Sequence, residues 1–123
     1  MLELEENLRL LNELLEKLNS LEGALDISNL KLELSKLQEE STKEGFWDDQ
    51  ASSNKVFAKI KKLERKINSF ETIKNNLDNL IEMNGLLTVE FDEELVKDLI
   101  LQSSVLKNKI DNLELETLLS RKI

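Results

Sequence analysis

The fold is decided by residues 49–82, which read DQASSNKVFAKIKKLERKINSFETIKNNLDNLIE. Apolar residues recur in this stretch at steps of three and four, and no proline interrupts them. Such spacing aligns the apolar side chains along one face of an α-helix. A helix over these residues would be roughly 50 Å long, so its apolar seam requires a partner of similar length. The seam consists of Val56, Ile60, Leu63, Ile67, Phe70, Ile73, Leu77 and Leu80.

The partner is a fourth helix that follows Gly85. Asp92 is a good N-cap, and Glu93 and Glu94 fall in the first turn, where the helix dipole favours negative charge. We expect residues 86–91 to form a loop or a single turn, within a connection of about ten residues that folds the fourth helix back antiparallel onto the third. Its seam consists of Val96, Leu99, Ser103, Leu106, Ile110, Leu113 and Thr117.

Two shorter helices are predicted before the long one. The first covers residues 2–21 and ends near Gly23, and the second is capped by Asp26 or Ser28 and ends near Lys43. Gly45 then supplies a residue that tolerates positive φ. The first helix could pack on the bundle, stand away from it or pair with a second copy. The seams of these helices consist of Leu4, Leu8, Leu11, Leu15 and Leu18, and of Ile27, Leu30, Leu34 and Leu37.

The predicted fold class is therefore all-α. We expect an elongated antiparallel helical bundle, built on a long coiled-coil-like hairpin with two shorter N-terminal helices. Residues 1–123 are predicted to form a single helical domain. Two copies could pair through apolar seams that the domain leaves exposed.

The residue types available exclude most catalytic chemistry. The chain has no histidine and no cysteine, which removes the commonest general base, the commonest metal ligand and the best nucleophile. We predict no catalytic, metal or cofactor residues and no small-molecule substrate, and we interpret the carboxylates at helix starts as caps. No stretch of about 18 apolar residues spans a membrane. The N-terminus is acidic where a secretory signal would be basic, so a cytoplasmic protein is expected.

A basic stripe departs from the acidic background of the chain. The formal net charge is −8, yet residues 55–66 hold six cations and one acid. Four of the cations step by four, three and four, which places them on one helical face as a candidate phosphate-contacting stripe. The alternative is an ordinary solvated face whose cations pair with acids on neighbouring helices. We expect no aromatic residue to be interleaved with the stripe for stacking on bases, so nucleic acid would be contacted through its backbone only. The stripe consists of Lys55, Lys59, Lys62 and Lys66.

A second feature is the segment Gly45-Phe46-Trp47-Asp48-Asp49, which contains the only tryptophan. Asp48 and Asp49 are both good N-caps for the long helix. We expect Phe46 and Trp47 to pack on the bundle and fix the direction of that helix, as a hydrophobic staple does. The alternative is an exposed aromatic anchor for a partner.

These motifs occur in a familiar order. Leu25-Asp26 opens the second helix, Phe46-Trp47-Asp48-Asp49 starts the long one, and Asp92-Glu93-Glu94-Leu95 starts the last, which closes on Leu113–Ser120. Over residues 22–120 this order resembles the N-terminal helical domain of bacterial peptide chain release factors. The Trp-Asp-Asp start and the Leu-Leu-Ser end are similar to those of type 2 rather than type 1.

The resemblance implies a role in translation termination. Complete type 2 members read UAA or UGA with one domain, and another domain carries a Gly-Gly-Gln loop that promotes peptidyl-tRNA hydrolysis. This chain has no adjacent glycines and no proline, so it holds neither that loop nor a Ser-Pro-Phe codon-reading tripeptide. Arg121-Lys122-Ile123 stands in place of the usual exit sequence. The resemblance thus implies a non-enzymatic first domain of a larger factor.

The implied partners are the ribosome, near the base of the large-subunit stalk, and the GTPase that recycles release factors. That the basic stripe makes the ribosomal contact is a hypothesis of ours and not a family motif. Two alternatives are a coiled-coil adaptor or dimerisation module unrelated to translation, and a helical arm of another RNA-associated enzyme.

Overall fold

The computed structural model describes residues 1–120 and contains four α-helices and no strand in that range. They are α1 (Leu2–Leu25), α2 (Ile27–Glu40), α3 (Gln50–Val89) and α4 (Glu93–Ser120), with a 3₁₀ turn at Phe46–Asp48. The all-α class and the number of helices are confirmed. The exit sequence at residues 121–123 lies outside the described range.

Several predicted helix ends are wrong, and the two glycines within helices explain the largest errors. The first helix continues through Gly23 to Leu25, and the third continues through Gly85 to Val89, so residues 86–89 are helix and not loop. A glycine inside a helix costs only about 1 kcal/mol relative to alanine, which packing of the following turn offsets. Leu87 supplies that packing, because its side chain is only 3 % exposed.

The connection between α3 and α4 is correspondingly short. Residues 90–92 join the two helices, in place of the expected connection of about ten residues. The second helix is also shorter than expected, since it ends at Glu40 and not near Lys43. Asp26 precedes it in a left-handed conformation, with φ 53°, and makes no side-chain capping bond. Gly45 has φ 82°, which confirms the prediction of positive φ there.

The residues fall into two units, described here separately. The terminal unit comprises Met1–Leu25 and the described residues from Thr72 onward, and the central unit comprises Asp26–Glu71. Helix α3 contributes its first part to the central unit and its second part to the terminal unit. The prediction that residues 1–123 form a single domain stays a prediction.

In the terminal unit α1 packs against α4, so the first helix joins the bundle. Its direction follows from two contacts with α4. Asn7 donates to Ser103 Oγ at 3.1 Å, and ten residues later Lys17 Nζ lies 3.1 Å from Asp111 Oδ1. Since both positions advance together, α1 and α4 are parallel.

The contacts of α1 with α3 run in the opposite sense. Asn7 is hydrogen bonded to Asn84 at 3.0 Å, whereas Glu22, further along α1, lies 4.0 Å from Lys74, an earlier residue of α3. Helix α3 is therefore antiparallel to α1 and also to α4, which confirms the antiparallel hairpin. The buried apolar side chains of this unit are Leu4, Leu11, Leu14, Leu18, Leu21, Ile73, Leu77, Leu80, Leu87, Val96, Leu99, Leu106 and Ile110.

In the central unit α2 lies along the first part of α3. Lys31 pairs with Glu71, and Glu33 pairs with Lys59, so residues later in α2 meet residues earlier in α3. Leu30, Leu34 and Leu37 are half-buried. The buried apolar side chains of this unit are Ile27, Ile60, Leu63, Ile67 and Phe70.

Candidate phosphate-contacting surface

The basic stripe lies on α3 within the central unit. Its four lysines, Lys55, Lys59, Lys62 and Lys66, are all exposed. The seam residues Ile60, Leu63 and Ile67 are buried and Val56 is half-buried, because helical geometry turns the seam away from the stripe by roughly 90°. The structure thus places the four predicted cations together on one solvent-facing side of one helix.

The four lysines of the stripe differ in whether they form an ion pair. Lys59 Nζ lies 3.0 Å from Glu33 Oε1 of α2, so the interpretation as a paired surface cation holds for that residue. Among residues 1–120, Lys55, Lys62 and Lys66 form no ion pair within 4.0 Å. Three uncompensated ammonium groups, spaced over about three turns, are therefore available to anionic oxygens.

Phe57 lies between Lys55 and Lys59 in the chain, so the expectation that no aromatic residue is interleaved with the stripe is wrong. Its side chain is 49 % exposed, and Lys61 Nζ lies 5.2 Å from the ring centroid, within the range of a cation–π contact. At 100° per residue, Phe57 lies roughly 200° from Lys55 and from Lys59, on the opposite side of the helix. It therefore cannot stack on a base held by the stripe, and the expected contact remains one with the phosphate backbone.

The segment before α3 does not have the arrangement that the staple hypothesis predicts. Trp47 is 61 % exposed, so it does not pack on the bundle, and the staple prediction is wrong for this residue. Phe46 is half-buried, and the two rings meet edge to face with centroids 4.9 Å apart. The physical reason is the 3₁₀ turn that follows Gly45, because it directs successive side chains to different sides and only Phe46 turns inward.

The cap of α3 is Asp49 rather than Asp48. The Asp49 carboxylate accepts a hydrogen bond from the Ser52 amide at 3.3 Å, and its carbonyl accepts one from the Ser53 amide at 3.0 Å. Asp92 acts in the same way at the start of α4, where Oδ1 accepts from the Leu95 amide at 3.0 Å. Both carboxylates therefore satisfy helix-end donors, as the capping interpretation predicts.

Within residues 1–120, no group of three or more carboxylates is arranged to hold a metal ion. A cluster of charged side chains on the terminal unit consists of Lys17, Lys107 and Asp111. Lys107 and then Lys17 donate to the Asp111 carboxylate and lower its pKa, while the bond to Asp111 raises the pKa of Lys17. This cluster joins α1 to α4.

None of the helices within residues 1–120 has a window apolar enough to cross a bilayer.

Residues 30–123 match the model of the PCRF domain. The chain is similar to peptide chain release factor 2 of Clostridium perfringens strain SM101, with 33 % identity over 119 residues, 97 % of this chain and 32 % of that protein. It is similar to the protein of the same name from Staphylococcus aureus strain COL, with 30 % identity over 118 residues, 96 % of this chain and 32 % of that protein. The chain therefore spans about a third of the length of these relatives.

Proposed function

The chain belongs to the PCRF domain family, and from this premise we propose that it is the ribosome-docking domain of a peptide chain release factor acting in translation termination in the cytoplasm. The observation that carries the proposal is the match of residues 30–123 to that family. Relatives named peptide chain release factor 2, aligned along 96–97 % of the chain, support type 2 as the subtype. Type 2 factors would read UAA and UGA through a part of the protein outside these residues.

In this proposal the domain binds and does not catalyse. The chain has no adjacent glycines, so hydrolysis of peptidyl-tRNA would require a Gly-Gly-Gln loop carried by another domain. What a docking domain contributes is position, because a factor held in a defined orientation presents its other domains to their targets at high effective concentration.

The basic stripe is the part of the surface that we assign to ribosomal RNA. A body with net charge −8 is repelled by RNA at long range, whereas Lys55, Lys62 and Lys66 attract phosphates at short range. These two effects act against each other and thereby orient the domain, because only the face that bears the stripe can approach RNA closely. Contacts with phosphates would position the domain without reading a base sequence.

We assign this contact to the base of the large-subunit stalk, with the recycling GTPase as a second partner. Trp47 is the natural candidate for a protein contact there. An exposed tryptophan is a large apolar surface with few rotatable bonds, and such side chains recur as anchors at interfaces.

The test is a binding measurement with purified bacterial 70S ribosomes at several salt concentrations. The variant Lys55→Glu/Lys59→Glu/Lys62→Glu/Lys66→Glu should lose at least about tenfold in affinity, and the slope of log affinity against log salt should become less negative by about three. Competition with intact release factor 2 from Clostridium perfringens would report whether the two share a site. We expect excess chain to slow peptide release by the intact factor.

The control variant reverses four exposed lysines outside the stripe, Lys36, Lys43, Lys97 and Lys109. It changes the net charge by the same eight units. A loss of ribosome affinity seen only in the stripe variant therefore cannot come from overall charge repulsion. Equal losses in the two variants would refute the assignment of the stripe but leave ribosome docking intact. Absence of both binding and competition by the unaltered chain would refute the docking function itself.

A further inference from the structure

Helix α4 carries a second apolar stripe that faces away from the core of the terminal unit. Leu101, Leu115 and Leu119 are 63 %, 56 % and 63 % exposed, and Val105 is 48 % exposed. The buried seam of the same helix, which includes Ser103, Leu106 and Ile110, lies roughly 160° away around the helix axis. Scattered exposed leucines are normal on protein surfaces, but an ordered row along one helix is not.

The spacing of this outer stripe has heptad character. With Asn108 and Asn112 included, its positions step by four, three, four, three and four. Each step keeps the side chain within about 40° of a single line on the helix surface. This is the pattern of a coiled-coil seam, here on a helix whose other seam is already filled.

The residue types along the stripe are symmetric about its centre. The stripe can therefore pair with a second, antiparallel copy of itself. When a second α4 lies antiparallel across it, Leu101 faces Leu119, Val105 faces Leu115, and Asn108 faces Asn112 of the other copy. Leucine meets an aliphatic side chain in every apolar layer, and the two asparagines meet each other, where their amides can exchange hydrogen bonds. We infer that the outer face of α4 is a self-complementary surface through which two copies of this chain form a two-fold symmetric antiparallel dimer.

The extent of the surface sets the strength of the dimer. Residues 101–119 extend over about 27 Å, and pairing along that length would bury roughly 500 Å² on each copy, or roughly 1,000 Å² in total. This total is at the lower limit for a specific interface, where complexes are weak and reversible. We therefore expect a dissociation constant of roughly 10–100 μM.

Charges beside the stripe predict how the dimer responds to salt. In the antiparallel arrangement Lys109 approaches Lys109 of the second copy, and Asp111 approaches its own counterpart on the opposite flank. The Asp111 charge is compensated within each chain by Lys17 and Lys107, but Lys109 forms no ion pair within residues 1–120. The lysine pair opposes association modestly, so the dimer should tighten as salt is raised.

Sedimentation equilibrium over about 5–500 μM chain tests the dimer. The outer-stripe variant Val105→Glu/Leu115→Glu should remain monomeric, because it places carboxylates in two of the facing layers. The control, Leu32→Glu/Leu86→Glu, replaces leucines that are 54 % and 57 % exposed on other helices, and it should dimerise as the unaltered chain does. Circular dichroism verifies that both variants stay helical.

Two further variants test the register. Asn108→Leu/Asn112→Leu removes the polar layers and should tighten the dimer at least about tenfold. Because the chain has no cysteine, oxidation of a mixture of Asn108→Cys and Asn112→Cys chains should yield mainly the mixed disulfide. A predominance of Asn108→Cys self-pairs would overturn the antiparallel arrangement. A chain that stays monomeric at 500 μM (about the upper end of practical concentrations), or equal loss of dimer in the two glutamate variants, would overturn the surface itself.

Discussion

Asn7 of α1 donates a hydrogen bond to Asn84 of α3 over 3.0 Å, although 77 residues separate them in the chain. Asn7 also donates to Ser103 of α4, and Asn84 donates to the backbone carbonyl of Leu4 at 3.1 Å. All three side chains are buried, with exposed fractions of 6 % or less. The network therefore connects one level of all three helices of the terminal unit, and a shift of any helix by one turn would leave buried polar groups without partners.

Replacing Asn84 by alanine should lower the free energy of unfolding by about 2–3 kcal/mol, because it leaves Asn7 with a single partner and removes the bond to the Leu4 carbonyl. Urea denaturation measures the loss. Asn79→Ala, at an exposed position of the same helix, should change stability by less than about 0.5 kcal/mol. A similar effect of the two substitutions would mean that the buried network does not stabilise the fold.

The fully apolar variant Asn7→Leu/Asn84→Leu/Ser103→Ala gives the complementary result. It should recover most of the stability lost in Asn84→Ala, since no buried donor or acceptor side chain is then left unpaired. The expected cost is a less specific helix register, which would appear as broader amide resonances in the NMR spectrum of the terminal unit.

Gly85→Ala should raise the melting temperature. Gly85 lies within α3, and a Cβ added there meets no atom within 4 Å, so alanine gains about 0.5–1 kcal/mol of helix propensity without a clash. Gly45→Ala should instead cost about 1–2 kcal/mol, because φ is 82° at that position. Thermal denaturation of the two variants should therefore shift in opposite directions, and a stabilised Gly45→Ala would contradict the left-handed turn.

The two aspartates before α3 should differ in their contribution to stability. Asp49→Ala removes the carboxylate that accepts from the Ser52 amide and should cost about 1 kcal/mol. Asp48 is exposed and its side chain makes no capping bond among residues 1–120, so Asp48→Ala should be close to neutral. Chemical denaturation of both variants decides the assignment, and the reverse order would move the N-cap to Asp48.

The ion pair between Lys17 and Asp111 predicts that the free energy of unfolding depends on pH, with its contribution fully present only over an intermediate pH range. The bonds from Lys107 and Lys17 lower the pKa of Asp111, so this stabilisation is present above the ordinary aspartate pKa of about 4 and is lost as the pH falls through the lowered value. The bond to Asp111 raises the pKa of Lys17, so its stabilisation is present below about pH 10 and is lost as the pH rises through the raised value.

A double-mutant cycle of Lys17→Gln and Asp111→Asn measures this coupling. Both side chains are about a third exposed, so we expect only about 0.5 kcal/mol at neutral pH. The coupling energy should vanish near pH 2 (about two units below the ordinary aspartate value), where the carboxylate is protonated. A coupling energy that persists unchanged in acid would exclude the ion pair as its source.

Local pattern alone predicted the helical class, most of the buried seam positions and the start of the last helix at Asp92. It left the cap of the long helix open between Asp48 and Asp49, and Leu8 of the first predicted seam is exposed. Leucine spacing and the absence of proline predict helices over most of the chain, and Asp49 and Asp92 carry carboxylates that bond within one turn of their own helix. These features depend on interactions between residues three or four apart, which the order of amino acids specifies directly.

The tertiary structure decided what happens where local preference is weak. A glycine in a helix costs about 1 kcal/mol, and whether Gly23 and Gly85 break a helix depends on how much packing the next turn gains from distant residues. Asn84 lies beyond the predicted end of the third helix, yet Asn7 and Leu4 supply its partners from another helix. Trp47 points outward because a short turn orients it, and no periodicity describes such a turn. Contacts between residues far apart in the chain fixed these outcomes, since only they were large enough to outweigh the small local energies.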